Sequence, residues 1–433
     1  MSLRSRCQPF ALMVQYARKQ GYYPYFRPID RSWGTEVEVG GLRLIMVGSN
    51  DYLGFTHDPR VIEATAKAAR RWGSGPGGSR FLCGNLTLHE ALEARLATFV
   101  GKKKAVVHAT GFTTNLGAIS CMLTAQDTII CDRENHASIF EGCQASRARL
   151  VPFAHNDATA AARKIEAAKQ KNANGCLLLI TEGVFSMSGD LAPLDELTAL
   201  KKTYPDILLY LDDAHGLGVM GRGGRGTTDH FGLTEKVDFI MGTFSKALAS
   251  IGGFIAGDDE YVLEYLRHHS KPLIFSAALP ASNTATVMAC LDILEEDPGR
   301  VTRLWDITRG VHAGYREIGL YTKNSKTPII PIYIGAEEKA GFFAKDLFDH
   351  GVFALPAIYP AVPRGQAVIR TAFMSTHKQS QIDYVLEVLE KLAKKHRVRA
   401  CDYAQVEPHL EESGFSATAL PREEAEVAQM MGE

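Results

Sequence analysis

The sequence predicts an α/β fold: a large domain with a mostly parallel sheet wrapped by helices, then a smaller C-terminal α+β domain. Two patterns point there. Short apolar runs at 104–108, 128–131, 149–153, 176–181, 207–212 and 237–241 alternate with helix-like stretches at 113–123, 137–145, 158–170 and 193–203. After Asp297-Pro298-Gly299 the texture changes to a helix (300–317), a strand (328–334), a helix (337–349), strands (353–356 and 367–373) and a helix (379–396). The predicted units are an N-terminal segment 1–50, a large domain 51–297, a small domain 298–397 and a tail 398–433. A chain of 433 residues is long for a single core, which agrees with two.

The remaining elements follow in order. Residues 8–20 form a short amphipathic helix, and 35–47 alternate apolar with polar, as an extended segment does. Pro59 suits the first turn of a helix over 59–72, and a further helix covers 87–100. Residues 258–297 are helical with an interruption at 271–280. Residues 401–433 carry eight acidic residues and one Arg among Gly, Ser and Pro, which predicts a loosely packed tail.

Composition excludes several classes. A formal net charge of -1 gives no polyanion-binding surface. No run of about 20 apolar residues is present, as a spanning helix would need. The start, MSLRSRCQPF, lacks the apolar core of a signal peptide. Eight scattered cysteines without a C-x-x-C pair suggest no metal site and fit buried thiols in a reducing cytoplasm. Three G-x-G-x-x-G matches begin at Gly73, Gly216 and Gly221, but none lies between a strand and a helix start. Close-approach turns explain them better than a dinucleotide site.

The chemistry concentrates at strand ends. The run Ile207–Asp212 ends in an acid, with His215 three residues on. The run from Val237 ends in Thr243, Ser245 and Lys246. A lysine just past a buried strand needs a reason, because a buried ammonium is costly unless paired or neutralised. A Schiff base is one such reason. Pyridoxal phosphate (PLP) requires a lysine, a carboxylate on its ring nitrogen and a phosphate cradle at a helix N-terminus. Lys246, Asp212 and Thr110-Gly111-Phe112 supply candidates for all three. Taken singly, Asp212 could cap a helix, Thr110-Gly111 could be a turn and Lys246 a surface residue.

Longer motifs carry a family resemblance. Ser49-Asn-Asp-Tyr-Leu-Gly54, Gly73-Ser-Gly-Pro-Gly-Gly-Ser-Arg80, Asn135-His136-Ala-Ser138, Glu182-Gly-Val-Phe-Ser-Met-Ser-Gly-Asp190, Asp212-Asp-Ala-His215 and Gly242-Thr-Phe-Ser-Lys246 resemble the α-oxoamine synthases, which are fold-type I PLP-dependent transferases. The resemblance covers about residues 8–397. Within the family the chain is most similar to the bacterial serine palmitoyltransferases, through Tyr23–Arg27, Ser79–Gly84, Asp229–Leu233 and Ile274–Ala277.

The resemblance implies roles. Lys246 would hold the coenzyme and move protons, Asp212 would pair with the ring nitrogen, and His215 would bond the ring oxygen. His136 would stack on the ring, and Gly111, Phe112, Ser186, Thr243 and Ser245 would surround the cofactor. Ser276 would reach the phosphate of the partner subunit, which implies a homodimer. Arg370 would grip the substrate carboxylate, with Asn50 as a second substrate contact. The implied reaction joins L-serine to palmitoyl-CoA, giving 3-ketodihydrosphingosine, CoA and CO2. Glycine C-acetyltransferase, aminooxononanoate synthase and, more distantly, an aminotransferase are the alternatives. Acyl length and peripheral membrane contact are not encoded in motifs.

Overall fold

The structure is a computed structural model that describes residues 2–172 and 174–398. The predicted acidic tail lies outside these residues from position 399 onward.

The central sheet has seven strands: β1 (Lys104–His108), β2 (Thr128–Asp132), β3 (Arg149–Phe153), β4 (Leu177–Glu182), β5 (Leu208–Asp212), β6 (Phe239–Thr243) and β7 (Gly253–Gly257). Their order is β1-β7-β6-β5-β4-β2-β3. Only β7 runs antiparallel to its neighbours, β1 and β6. The strands read as continuous apolar runs because both faces are covered. Leu179, Leu209, Leu211 and Ile240 face one core, while Leu178, Ile180, Tyr210 and Met241 face another.

Strand β7 was not expected. Its segment, Gly-Phe-Ile-Ala-Gly, is bounded by glycines and holds three apolar residues, too few to stand out as a strand. It nevertheless lies between β1 and β6 and is fully buried. The connection from β6 to β7 is the turn that contains Lys246.

Helix α1 (Gly111–Met122) starts where predicted, to within a turn. Thr110 caps it, its Oγ1 accepting from the Thr113 N–H at 3.0 Å. Such a cap stabilises a helix by about 1 kcal/mol. Helix α2 (Ala137–Ser146) is capped instead by His136, whose ring Nδ1 accepts from the Ser138 N–H.

A second core gathers Ile330, Ile332, Phe343, Leu347, Ile369, Val385 and Leu389. It is built on a sheet ordered β8-β10-β9: β8 (Ile329–Gly335), β9 (Leu355–Ala357) and β10 (Ala367–Ala372). Val47, from the N-terminal segment, joins this core. Strand Leu42–Met46 also pairs with Val352–Phe353, so the early chain is stitched to the late one. Helix α3 (Gly299–Ile318) spans both cores, with Val301 and Leu304 in the first and Val311 and Tyr315 in the second. Among the described residues no helix is long and apolar enough to cross a membrane.

One largely buried charge cluster pins loops beside the carboxyl ends of these strands. His155 donates through Nδ1 to Asp132 (3.0 Å) and through Nε2 to Asp190 (2.9 Å). Burial opposes the His155 charge, but the two carboxylates outweigh it and raise its pKa from 6.5 to about 10. A raised folded pKa stabilises fully below the unfolded value and is lost as pH climbs through the folded one. His155→Gln leaves the buried Asp132 carboxylate and the partly buried Asp190 carboxylate uncompensated and should cost about 3 kcal/mol. Urea unfolding should show the largest gap from the parent below pH 6.5, closing towards pH 10. A gap that is small and constant with pH would contradict this assignment.

Candidate active site

In an α/β sheet the carboxyl ends of parallel strands carry the ligand site. Here those ends bring together Glu182 on β4, Asp212 on β5 and the turn after β6 with Lys246. The register pairs Glu182 directly with Asp212.

Asp212 is buried, and both of its oxygens are engaged. Oδ2 accepts from Asn115 Nδ2 at 2.7 Å, and Oδ1 accepts from the Ala214 N–H at 3.0 Å. Asn115 also donates to Ser138 Oγ at 2.9 Å, and Ser138 Oγ lies 2.7 Å from His136 Nδ1. His136 Nδ1 therefore accepts from both the Ser138 N–H and its hydroxyl, which places the ring proton on Nε2. Burial lowers the pKa of His136, Asp212 opposes that, and Lys246 reinforces it. The ring is neutral, with one N–H left for a ligand.

The Lys246 side-chain amine makes no hydrogen bond or ion pair among the described residues. Burial lowers its pKa from 10.5 to about 8, against the pull of Asp212 and Glu182. Free amine, the nucleophilic form, is therefore far more available near neutral pH than at an ordinary lysine, although the ammonium still predominates. Acylation of Lys246 in the cofactor-free chain, followed by peptide mass spectrometry, should rise with pH through a midpoint of about 8. A midpoint at 10.5 would place this amine in water instead.

His215 accepts or donates at 2.8 Å to the Tyr52 hydroxyl through Nδ1. Its pKa is driven well below the ordinary value, first by burial and then by Lys246. Arg370, on β10, donates through Nε to the Ser186 carbonyl (2.8 Å) and through Nη2 to Asn50 Oδ1 (2.9 Å) and Tyr52 Oη (3.4 Å). No carboxylate pairs with it among the described residues. A guanidinium held by neutral acceptors, with donors to spare, suits an incoming carboxylate.

Gly111 opens α1 opposite Thr243. A Cβ at Gly111 would lie 2.6 Å from Thr243 Oγ1, so only glycine allows this approach. Thr243 Oγ1 is 3.0 Å from Ser245 Oγ, and the two hydroxyls flank the helix start. Phe112 is exposed and meets the His136 ring edge-on, at 6.4 Å between centroids.

Thus Asp212, His136, His215, Lys246, Asn50 and Arg370 are joined through hydrogen bonds or mutual charge effects, and Gly111, Thr243 and Ser245 form a polar rim. Ser186 contributes its carbonyl to Arg370. Ser276 has no hydrogen bond to any of them and follows Phe275, which is 81% exposed. Asn115 lies in none of the motifs read from the sequence, and Tyr52 and Glu182 lie inside two of them without a role assigned there. Glu182 is buried, and its pKa is raised well above normal by burial and then by Asp212. The glycine motif around 216–226 serves a packing purpose. A Cβ on Gly216 or Gly226 would come within 2.0 or 2.2 Å of the buried Asp213 carboxylate.

The class I and II aminotransferase family model matches residues 43–389. A serine palmitoyltransferase of Bacteroides thetaiotaomicron is 47% identical over 87% of this chain and 94% of its own length. The chain belongs to the α-oxoamine synthases, within the class I and II aminotransferase family. An 8-amino-7-oxononanoate synthase of Thermoanaerobacter pseudethanolicus is 38% identical over 88% of this chain and 96% of its own. Among solved structures, a serine palmitoyltransferase from S. paucimobilis with a bound PLP–myriocin aldimine superimposes with a TM-score of 0.88 at 31% identity. That match covers 92% of this chain and 100% of the other. This α-oxoamine synthase therefore has the fold-type I architecture expected from its motifs.

Proposed function

We propose that this chain condenses L-serine with a long-chain acyl-CoA, releasing CoA and CO2 and forming 3-ketodihydrosphingosine, with PLP held on Lys246. This is the entry reaction of sphingolipid synthesis. The observation that carries the reading is Lys246, an amine of lowered pKa close enough to feel the charges of the buried Asp212 carboxylate and of the Arg370 guanidinium, which has no carboxylate partner among the described residues. The names of the relatives support the substrates.

The residues present fit the coenzyme. The N-terminus of α1, with the Thr243 and Ser245 hydroxyls, would hold the phosphate. Asp212 would keep the ring nitrogen protonated, His215 would bond the ring oxygen and His136 would lie against the ring. Bound PLP supplies an electron sink for the electron pair left at Cα of the amino acid.

The chain's own residues do the rest. Arg370 and Asn50 bind the serine carboxylate and set the angle of the Cα–H bond. His136 Nε2–H steadies that carboxylate from the other side. Lys246, as a free amine, removes the Cα proton. After the acyl group has been taken from the thioester and CO2 has left, Lys246 returns a proton to the same carbon.

A homodimer belongs to this proposal. Ser276 would serve the partner's phosphate site, and the exposed Phe275 beside it, with Phe112, gives the chain an apolar surface to cover. The division into a large domain 51–297 and a small C-terminal domain 298–397 is proposed with it.

Radiolabelled serine plus palmitoyl-CoA should give a lipid-soluble labelled product with release of CoA. Turnover confined to glycine with acetyl-CoA would contradict the substrate assignment. The similarity to 8-amino-7-oxononanoate synthases supports a second reading, with another amino acid or acyl chain. A scan of serine, glycine and alanine against a series of acyl lengths separates the two.

A further inference from the structure

The turn that follows β4 is held from two sides and carries one of the contacts of Arg370. Val184 and Leu191 bridge antiparallel at its base. The Phe185 N–H donates to the Asp190 carbonyl at 3.1 Å, and the Gly189 N–H returns to the Phe185 carbonyl at 2.9 Å. From within this turn the Ser186 carbonyl accepts from Arg370 Nε at 2.8 Å.

On one side stands His155, itself held by Asp132 at the end of β2. Its Nε2 reaches Asp190 Oδ2 at 2.9 Å, and its ring meets Phe185 edge-on, with 4.4 Å between centroids. It therefore grips the turn on both flanks of Ser186. Asn156 Nδ2 donates to the same Asp190 oxygen at 2.9 Å, and Ser188 Oγ donates to the other. On the opposite side Gly189 backs onto the smaller sheet. Its carbonyl accepts from Thr327 Oγ1 at 2.9 Å and from the Lys326 N–H at 3.1 Å. A Cβ at Gly189, where φ is +69°, would lie 2.1 Å from the Ile329 carbonyl oxygen. Ile329 opens β8, which pairs with β10, the strand of Arg370.

A guanidinium grips a carboxylate through two parallel bonds only when its plane is fixed. Asn50 and Tyr52 hold Nη2, and the Ser186 carbonyl holds Nε. A carbonyl in a turn fixes that plane only as well as the turn itself is fixed. We infer that His155 is a positioning residue for substrate recognition: through Asp190 and Phe185 it fixes the 183–190 turn, so that the Ser186 carbonyl sets the plane of Arg370 for the substrate carboxylate. In this role His155 acts through the turn and not by contact with Arg370. Glutamine in its place keeps one hydrogen-bonding arm but loses the charge and the two opposed donors.

The inference rests on the proposed role of Arg370, and the test separates the two. L-serine and L-serinamide, which lacks the carboxylate, are titrated into the PLP-loaded protein, with binding read from the visible absorbance of the coenzyme. The ratio of the two dissociation constants is compared among the parent, His155→Gln and Thr327→Val. His155→Gln should weaken L-serine binding about tenfold and leave L-serinamide within about twofold of the parent. Thr327→Val removes one tie from the opposite side of the turn without touching the charge cluster. It should weaken L-serine about threefold with the same indifference to L-serinamide, and it carries the test should His155→Gln not fold. A ratio unchanged within about twofold, whether both ligands weaken together or neither does, would overturn the role of His155. A parent that binds the two ligands equally would instead overturn Arg370 as the carboxylate site, and the functional reading with it.

Discussion

Lys246→Ala should lower turnover by about ten-thousand-fold and remove the visible absorbance of the lysine-bound coenzyme. Two duties fall on one nitrogen in this account: attachment of the coenzyme and transfer of the Cα proton. Nothing nearby replaces it. His136 spends Nδ1 on Ser138, and His215 Nδ1 is bound to Tyr52. Asp212 is acceptor to two donors at once. The neighbouring fold should tolerate the change, because Lys246 lies in the β6–β7 turn and makes no ion pair among the described residues. Circular dichroism and oligomeric state should match the parent. Turnover within about tenfold of the parent would show that another base does this work.

Asp212→Asn should lower kcat by about a thousandfold, or roughly 4 kcal/mol in activation free energy. The substitution removes the negative charge in a buried site, where charge matters most. It also presents an amide hydrogen pair to Asn115 Nδ2 or the Ala214 N–H, both of which donate to Asp212. One of those donors loses its acceptor, and the route from Asn115 through Ser138 to His136 is disturbed. Glu182 cannot substitute readily: it sits beside Asp212 in the register, but burial favours its neutral form. Stopped-flow measurement of Cα-proton exchange with deuterated solvent should fall with kcat, since proton removal needs the charge at 212. Exchange at the parent rate would move the role of Asp212 to a later step.

The alternation of apolar runs and helices made the sheet legible, because strands covered on both faces read as unbroken apolar segments. Strand order was not legible. Alternation says nothing of which strand neighbours which, and β7, a five-residue segment framed by glycines, occupies the place between β1 and β6. The site residues at strand ends could be read because Asp212 and Lys246 each break an apolar run with a charge. Asn115 could not, and Tyr52, although inside the Ser49–Gly54 motif, showed no sign of its contact with His215. Each reaches the site from a segment distant in sequence, and an amide inside a helix or a tyrosine in a loop has no pattern of its own. The glycines near 216–226 mimic a nucleotide motif, and only the buried Asp213 reveals that they yield space to a carboxylate. Val47 and the strand Leu42–Met46 show a similar limit, since their partner Val352–Phe353 lies some three hundred residues away.

The nitrogen of residue 246 is the atom proposed to bond the coenzyme. Borohydride reduction of the PLP-loaded protein, digestion and mass spectrometry test it most directly. The coenzyme's mass is expected on the peptide containing Lys246 and on no other. A label on a different lysine, or none at all after reduction, would contradict it.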